Sequence, residues 1–183
     1  MTKTESIHFE ANLLILKDQA ILRLPEDVSA KLPSRGQVAV RGTINGHELR
    51  TVLEPDGYFG HWMRVDAGLQ RAACIDAGDS AALKVEIAKD WPEPDVPEDL
   101  AKALSAAPQK VKEKWKDITS VARWEWVRWV NETRNKDTRA VRIEKTISKL
   151  NGKHRRPCCF NLAACTDPEL SRSGRLMDTA QAR

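Results

Sequence analysis

The densest chemistry in the chain is the run His154-Arg155-Arg156-Pro157-Cys158-Cys159, with Cys165 six residues on. Two arginines beside a thiol favour the thiolate, the form that reacts with oxidants and ligates metals. As a zinc site the spacing is poor: adjacent cysteines cannot easily both take tetrahedral positions, and the usual gap of about two residues between ligands is missing. Two readings remain, a redox-responsive thiol pair and cysteines that pack a chain turn against the helical bundle of the second half; packing is preferred. No metal and no cofactor is expected.

Three further groups of side chains could act. Arg139, Arg142, Lys145 and Lys149, continued by Lys153, Arg155 and Arg156, form a basic stripe that could track phosphates, although a solvated helix face is the preferred account. Trp124, Trp126 and Trp129 fall within six residues. Trp126 and Trp129 read as core, while Trp124, stacked with Arg128 four residues on, reads as a contact between modules or an anchor for a partner. His61 and Trp62, with Arg50 and Arg64, could line a small anion or ligand pocket, but a histidine after a glycine is as readily a turn residue. No Ser-His-Asp order, HExxH, P-loop, GxGxxG or paired-carboxylate pattern stands out, so an enzyme is the minority reading.

The elements that must position these groups divide in two. In the first half Ile7, Phe9, Ala11 and Leu13 alternate with polar residues, as in a half-buried strand, and Leu14-Ile15-Leu16 continues the apolar run. Ala20–Leu24, Gly36–Ile44, Glu48–Leu53, Tyr58–Val65 and Ser80–Ala88 read as further strands, with short helices after Pro25 and Asp66. Asn45-Gly46 between two of them is a strong hairpin signal, because a type I′ turn needs positive φ at both positions. About six short strands predict a small closed or pseudo-barrel sheet.

The second half reads as a bundle of three or four short helices, opened near Pro97, Pro108, Thr119 or Ser120, and Asp137 or Thr138. On the last of them Ala140, Ile143, Ile147 and Leu150 form the expected core stripe. On the third, Ala122, Trp126, Trp129 and Val130 share a face, and Glu125, Arg128 and Glu132 make the charged one. Three prolines in Trp91-Pro92-Glu93-Pro94-Asp95-Val96-Pro97 make a short, stiff linker. The organisation is therefore α+β: a barrel over residues 1–90, a linker at 91–97, a helical module at 98–165 and a flexible tail at 166–183.

The run Leu32-Pro33-Ser34-Arg35-Gly36-Gln37-Val38-Ala39-Val40-Arg41-Gly42-Thr43-Ile44-Asn45-Gly46, its companion Gly60-His61-Trp62-Met63-Arg64-Val65-Asp66, and Gly78-Asp79 resemble the barrel family known as domain of unknown function 1905. The second half resembles the YdeI/OmpD-associated "bacteriocin-protection" domain. Its telling stretches are Val96-Pro97-Glu98-Asp99-Leu100, the Trp-rich helix, and Arg142-Ile143-Glu144-Lys145 leading to Lys153–Asn161. The resemblance implies a small barrel related to the double-split barrels of AbrB-like proteins. It implies no catalytic residues and suggests a role in resistance to antimicrobial peptides.

Charge and composition bound the function. The formal net charge is +4, carried unevenly: residues 1–90 have 11 Lys/Arg against 13 Asp/Glu, and residues 91–160 have 16 against 10. A basic protein is a poor decoy for cationic peptides, so protection is expected to be indirect. No run approaches the roughly 18 apolar residues of a membrane span. With no basic leader followed by an apolar stretch, and with cysteines that do not form a disulfide framework, a cytoplasmic protein is expected. The leading expectation is a non-enzymatic protein that binds an unidentified protein partner. Nucleic-acid binding through the basic fourth helix comes second, and a small-ligand or enzymatic site in the barrel third.

Overall fold

The computed structural model describes residues 5–158 and 160–178 and divides into two compact units. The first holds β1 (Ile7–Leu16), β2 (Gln19–Arg23), α1 (Glu26–Ala30), β3 (Val38–Ile44), β4 (His47–Pro55), β5 (His61–Arg64), α2 (Ala67–Ala73) and β6 (Ser80–Ile87). The six strands close into an antiparallel barrel in the order β1-β2-β5-β4-β3-β6. Closure leaves no unpaired edge. The expected hairpin is present: Asn45 and Gly46 take positive φ between Ile44 and His47, which pair directly. Lys17 and Asp18 make a second turn of the same kind between β1 and β2.

The barrel interior collects Ala11, Leu13, Leu22, Val40, Leu53, Met63 and Val85 among its buried residues. The next residues in register face outward, yet several are also apolar and buried. Leu16, Ile21 and Trp62, with Leu14 beside them, form a separate cluster with Cys165, Leu170, Leu176 and Met177. Strands buried on both faces lose the polar half of their alternation, which explains the unbroken apolar runs Leu13–Leu16 and Ala20–Leu22.

This second cluster corrects the expectation of a tail from residue 166. Leu162–Cys165 and Glu169–Asp178 belong to the barrel unit. There β7 (Ser171–Arg172) and β8 (Arg175–Leu176) form a hairpin over Ser173 and Gly174, both at positive φ. The Leu176 amide donates to the Asp56 carbonyl (2.8 Å), and a guanidinium nitrogen of Arg23 donates to the Met177 carbonyl (2.7 Å). Strands of two residues carry no periodicity, so only the Ser-Gly dipeptide marked this hairpin in the sequence. Residues 179–183 of the expected tail lie outside the described residues.

The second unit contains α3 (Glu98–Ala106), α4 (Gln109–Asp117), α5 (Ser120–Asn131) and α6 (Lys136–Asn151). Pro97 and Pro108 stand at the first two N-caps; Thr119 Oγ1 caps α5 through the Ala122 amide (3.2 Å), and Asn135 Oδ1 caps α6 through the Thr138 amide (2.9 Å). Leu100, Val111, Ile118, Trp126, Val130 and Leu150 are fully buried between the helices.

Two faces differ from expectation. On α6, Ala140 is exposed and the buried polar residue is Thr146, whose hydroxyl returns to the Arg142 carbonyl (2.8 Å). On α5, the expected charged face is buried at Glu125 (7% exposed) and Arg128 (5%). The physical reason is pairing: Glu125 accepts from Arg156 (3.2 Å), and Arg128 donates to Thr166 Oγ1 (3.1 Å). Charges with partners can enter a core that periodicity alone would close to them.

Candidate binding surface

The four residues of the expected barrel pocket do not converge. His61 and Arg64 are three apart on one strand, so the pleat turns them to opposite faces. His61 is 1% exposed; its Nε2 bonds the Gly36 carbonyl (2.9 Å), which leaves Nδ1 buried with no partner among the described residues. Burial holds this imidazole below its ordinary value, outweighing the pull of the Gly36 carbonyl. Trp62 points outward into the second apolar cluster and donates to the Pro55 carbonyl (3.2 Å). Arg64 is exposed, and Arg50, also exposed, pairs with Asp90 (2.7 Å).

Much of the basic stripe is committed within the helical unit. Arg139 forms a two-pronged ion pair with Asp99 (2.6 and 3.0 Å) and reaches Asn131 (2.9 Å). That guanidinium holds the Asp99 carboxyl below the usual range. Arg142 bonds Glu132 (2.9 Å) and lies 5.4 Å from the centre of the Trp129 ring. Arg155 pairs with Asp117 (2.7 Å), and Arg156 with Glu125. Lys149 stands over Trp129 (5.9 Å) with its Nζ 2.6 Å from Cys158 Sγ. Of the four stripe cations on α6, Lys145 is the one that is exposed and makes none of these contacts.

The tryptophans are also engaged. Trp126 is fully buried, donates to the Arg155 carbonyl (3.1 Å) and meets Trp129 edge to face at 5.9 Å. Trp124 is half-buried and donates to the Pro92 carbonyl (2.7 Å). The Arg128 guanidinium lies over Phe160 (5.1 Å), where stacking on Trp124 was expected. Of the thiols, Cys158 is exposed in the helical unit, and Cys165 is buried in the barrel unit where packing against the helical bundle was expected; Cys159 lies outside the described residues.

The surface that sequence reasoning missed is the loop between β4 and β5. Tyr58 and Phe59 were expected to begin a strand, but the strand begins only at His61. Asp56 explains the difference. Its Oδ1 accepts the amides of Tyr58 (2.7 Å) and Gly60 (2.9 Å), and its own amide donates to the Gly60 carbonyl (3.0 Å). Gly57, at φ +79°, lies so close to Gly174 that a β-carbon there would strike the Gly174 carbonyl. The loop is thus closed from within and wedged against the β7–β8 hairpin.

This rigid loop presents its aromatics outward. Phe59 is 73% exposed and Tyr58 52%. Phe59 sits at φ +69°, a left-handed conformation rare for a bulky residue. Arg35 donates to the Phe59 carbonyl (3.0 Å), and the Arg175 guanidinium lies 5.2 Å from the centre of the Tyr58 ring. The signal available in the sequence was Asp56-Gly57, a turn dipeptide directly before the two aromatics.

Comparison with known families follows the division into units. Residues 9–85 match the model described as "Domain of unknown function (DUF1905)", and residues 93–152 match the one described as "Bacteriocin-protection, YdeI or OmpD-Associated". The two matches fall one in each unit, in that order along the chain. No curated protein sequence matches it. The DUF1905 match covers all of β2 to β5 and includes the Tyr58–Phe59 loop. The bacteriocin-protection match begins in the proline linker and runs to the end of the helices, so the segment carrying Cys158, Cys165 and the β7–β8 hairpin lies beyond both.

Proposed function

We propose that the protein is a non-enzymatic binding protein that acts through protein–protein contact, with the Tyr58–Phe59 loop as the contact surface. One observation carries the reading: Phe59 is held at positive φ and yet is nearly three-quarters exposed. A fold selecting only for its own stability favours glycine there, since a side chain in the left-handed region costs about 1–2 kcal/mol. An exposed ring recovers little of that cost. Strain of this kind, on a loop tied at both ends, is what a site preorganised for a partner carries. Exposed aromatics are also the residue type that anchors protein interfaces.

The protection ascribed to the second family is then exerted through a partner. A chain of net charge +4 repels cationic peptides and is a poor trap for them. Short random peptides displayed on phage, selected on the immobilised full-length protein, test the proposal. Peptides that bind the wild type and fail to bind Phe59→Ser, with the variant's melting unchanged, support it. Selected peptides indifferent to Phe59→Ser and Tyr58→Ser overturn it.

A further inference from the structure

We infer that the segment recognised by the Tyr58–Phe59 loop is a short acidic stretch of protein carrying an apolar anchor. This rests on the reading of the loop as a partner contact and adds the partner's chemistry. The rings are framed by arginines drawn from two other places in the chain. Arg35 reaches the loop from the segment before β3, and Arg175 lies over Tyr58. Arg172 is exposed and stands opposite Arg175 in the register of the β7–β8 hairpin.

The two acids at and just after the end of β4 already accept hydrogen bonds within the fold. Asp56 Oδ1 is occupied by two loop amides, and Glu54 accepts a hydrogen bond from Gln37 (2.7 Å). Leu162, part-exposed, adds an apolar neighbour on this side, since a β-carbon on Gly36, next to Arg35, would come within 3.4 Å of Leu162 Cβ. The patch is therefore an apolar centre with a cationic rim. An apolar or aromatic side chain can bury against Phe59 and Tyr58 while carboxylates beside it meet guanidinia in fork geometry.

A short segment fits better than a long polyanion. Residues 1–90 carry more Asp and Glu than Lys and Arg, so most of the barrel surface gives a nucleic-acid backbone no continuous basic track. Beyond about 8–10 Å at physiological salt the remaining charges are screened.

The experiment uses the full chain and the phage-selected peptides, with Arg35→Glu/Arg175→Glu and the milder Arg35→Gln/Arg175→Gln as variants. A fluorescein-labelled oligothymidylate is titrated in parallel. The expected result is a selected pool enriched in Asp and Glu around an apolar or aromatic residue. Its affinity should fall at least about tenfold with charge reversal, less with the neutral pair, and measurably as salt is raised. A pool that depends on Phe59 but shows no acidic enrichment and tolerates both arginine pairs overturns the partner chemistry while leaving the contact surface standing. A pool indifferent to Phe59 overturns both. Oligothymidylate binding that is lost in Phe59→Ser assigns the loop to stacking nucleobases and overturns the acidic-peptide inference.

Discussion

Phe59 and His61, two residues apart, show how one short stretch can serve the outside and the inside of a barrel. At Phe59 the left-handed backbone costs about 1–2 kcal/mol for a side chain that the fold leaves in solvent. Glycine removes that cost and adds back roughly 0.5–1 kcal/mol of chain entropy. Phe59→Gly should therefore melt no lower than the wild type and be more stable by up to about 1.5 kcal/mol, as read by denaturant unfolding. At His61 burial disfavours the charged ring. Because the folded pKa lies below the ordinary 6.5, the unfolded chain takes up the proton first. Stability from this group is complete above pH 6.5 and declines as the pH falls from there toward the folded value. His61→Gln should flatten that part of the stability profile; a profile of unchanged slope would show that other groups set it.

At the scale of elements, α6 turns its arginines inward to its neighbours. The pairs Arg139–Asp99 and Arg142–Glu132 staple α6 to α3 and to the end of α5, and the Arg142 guanidinium lies against Trp129. Arg142→Glu places a carboxylate beside Glu132 and an aromatic ring and should cost about 2–3 kcal/mol of stability. Lys145→Glu, on the exposed side, should stay within about 0.5 kcal/mol. A phosphate-tracking stripe would show the reverse signature, with stability unmoved and affinity for duplex DNA reduced by both changes. Most strands, the Thr119 cap and the hairpin at Asn45-Gly46 were legible in the sequence because each depends on local periodicity or local turn chemistry, whereas α6 is capped by Asn135, two residues before the expected Asp137. What was not legible depends on distant partners. The burial of Glu125 and Arg128 needs Arg156 and Thr166, and the Tyr58–Phe59 loop is shaped by Asp56 together with Gly174, more than a hundred residues on. The expected pocket at His61 failed for a more elementary reason: strand parity separates His61 from Arg64, and the sequence alone already contained that.

Taken as a whole, the chain is a six-stranded barrel and a four-helix unit, each with its own core. The C-terminal segment is part of the barrel's construction, covering Leu16, Ile21 and Trp62, and it also supplies Arg175 and the Gly174 wedge beside the aromatic loop. Fold and proposed contact surface thus share one piece of chain. The central claim is that Phe59 is kept for a partner at the fold's expense. It is tested most directly by titrating one phage-selected peptide against the wild type and Phe59→Gly while recording the melting of both. The account predicts a variant that melts no lower and binds at least about tenfold more weakly. A Phe59→Gly protein that binds undiminished, or one that unfolds well below the wild type, would contradict it.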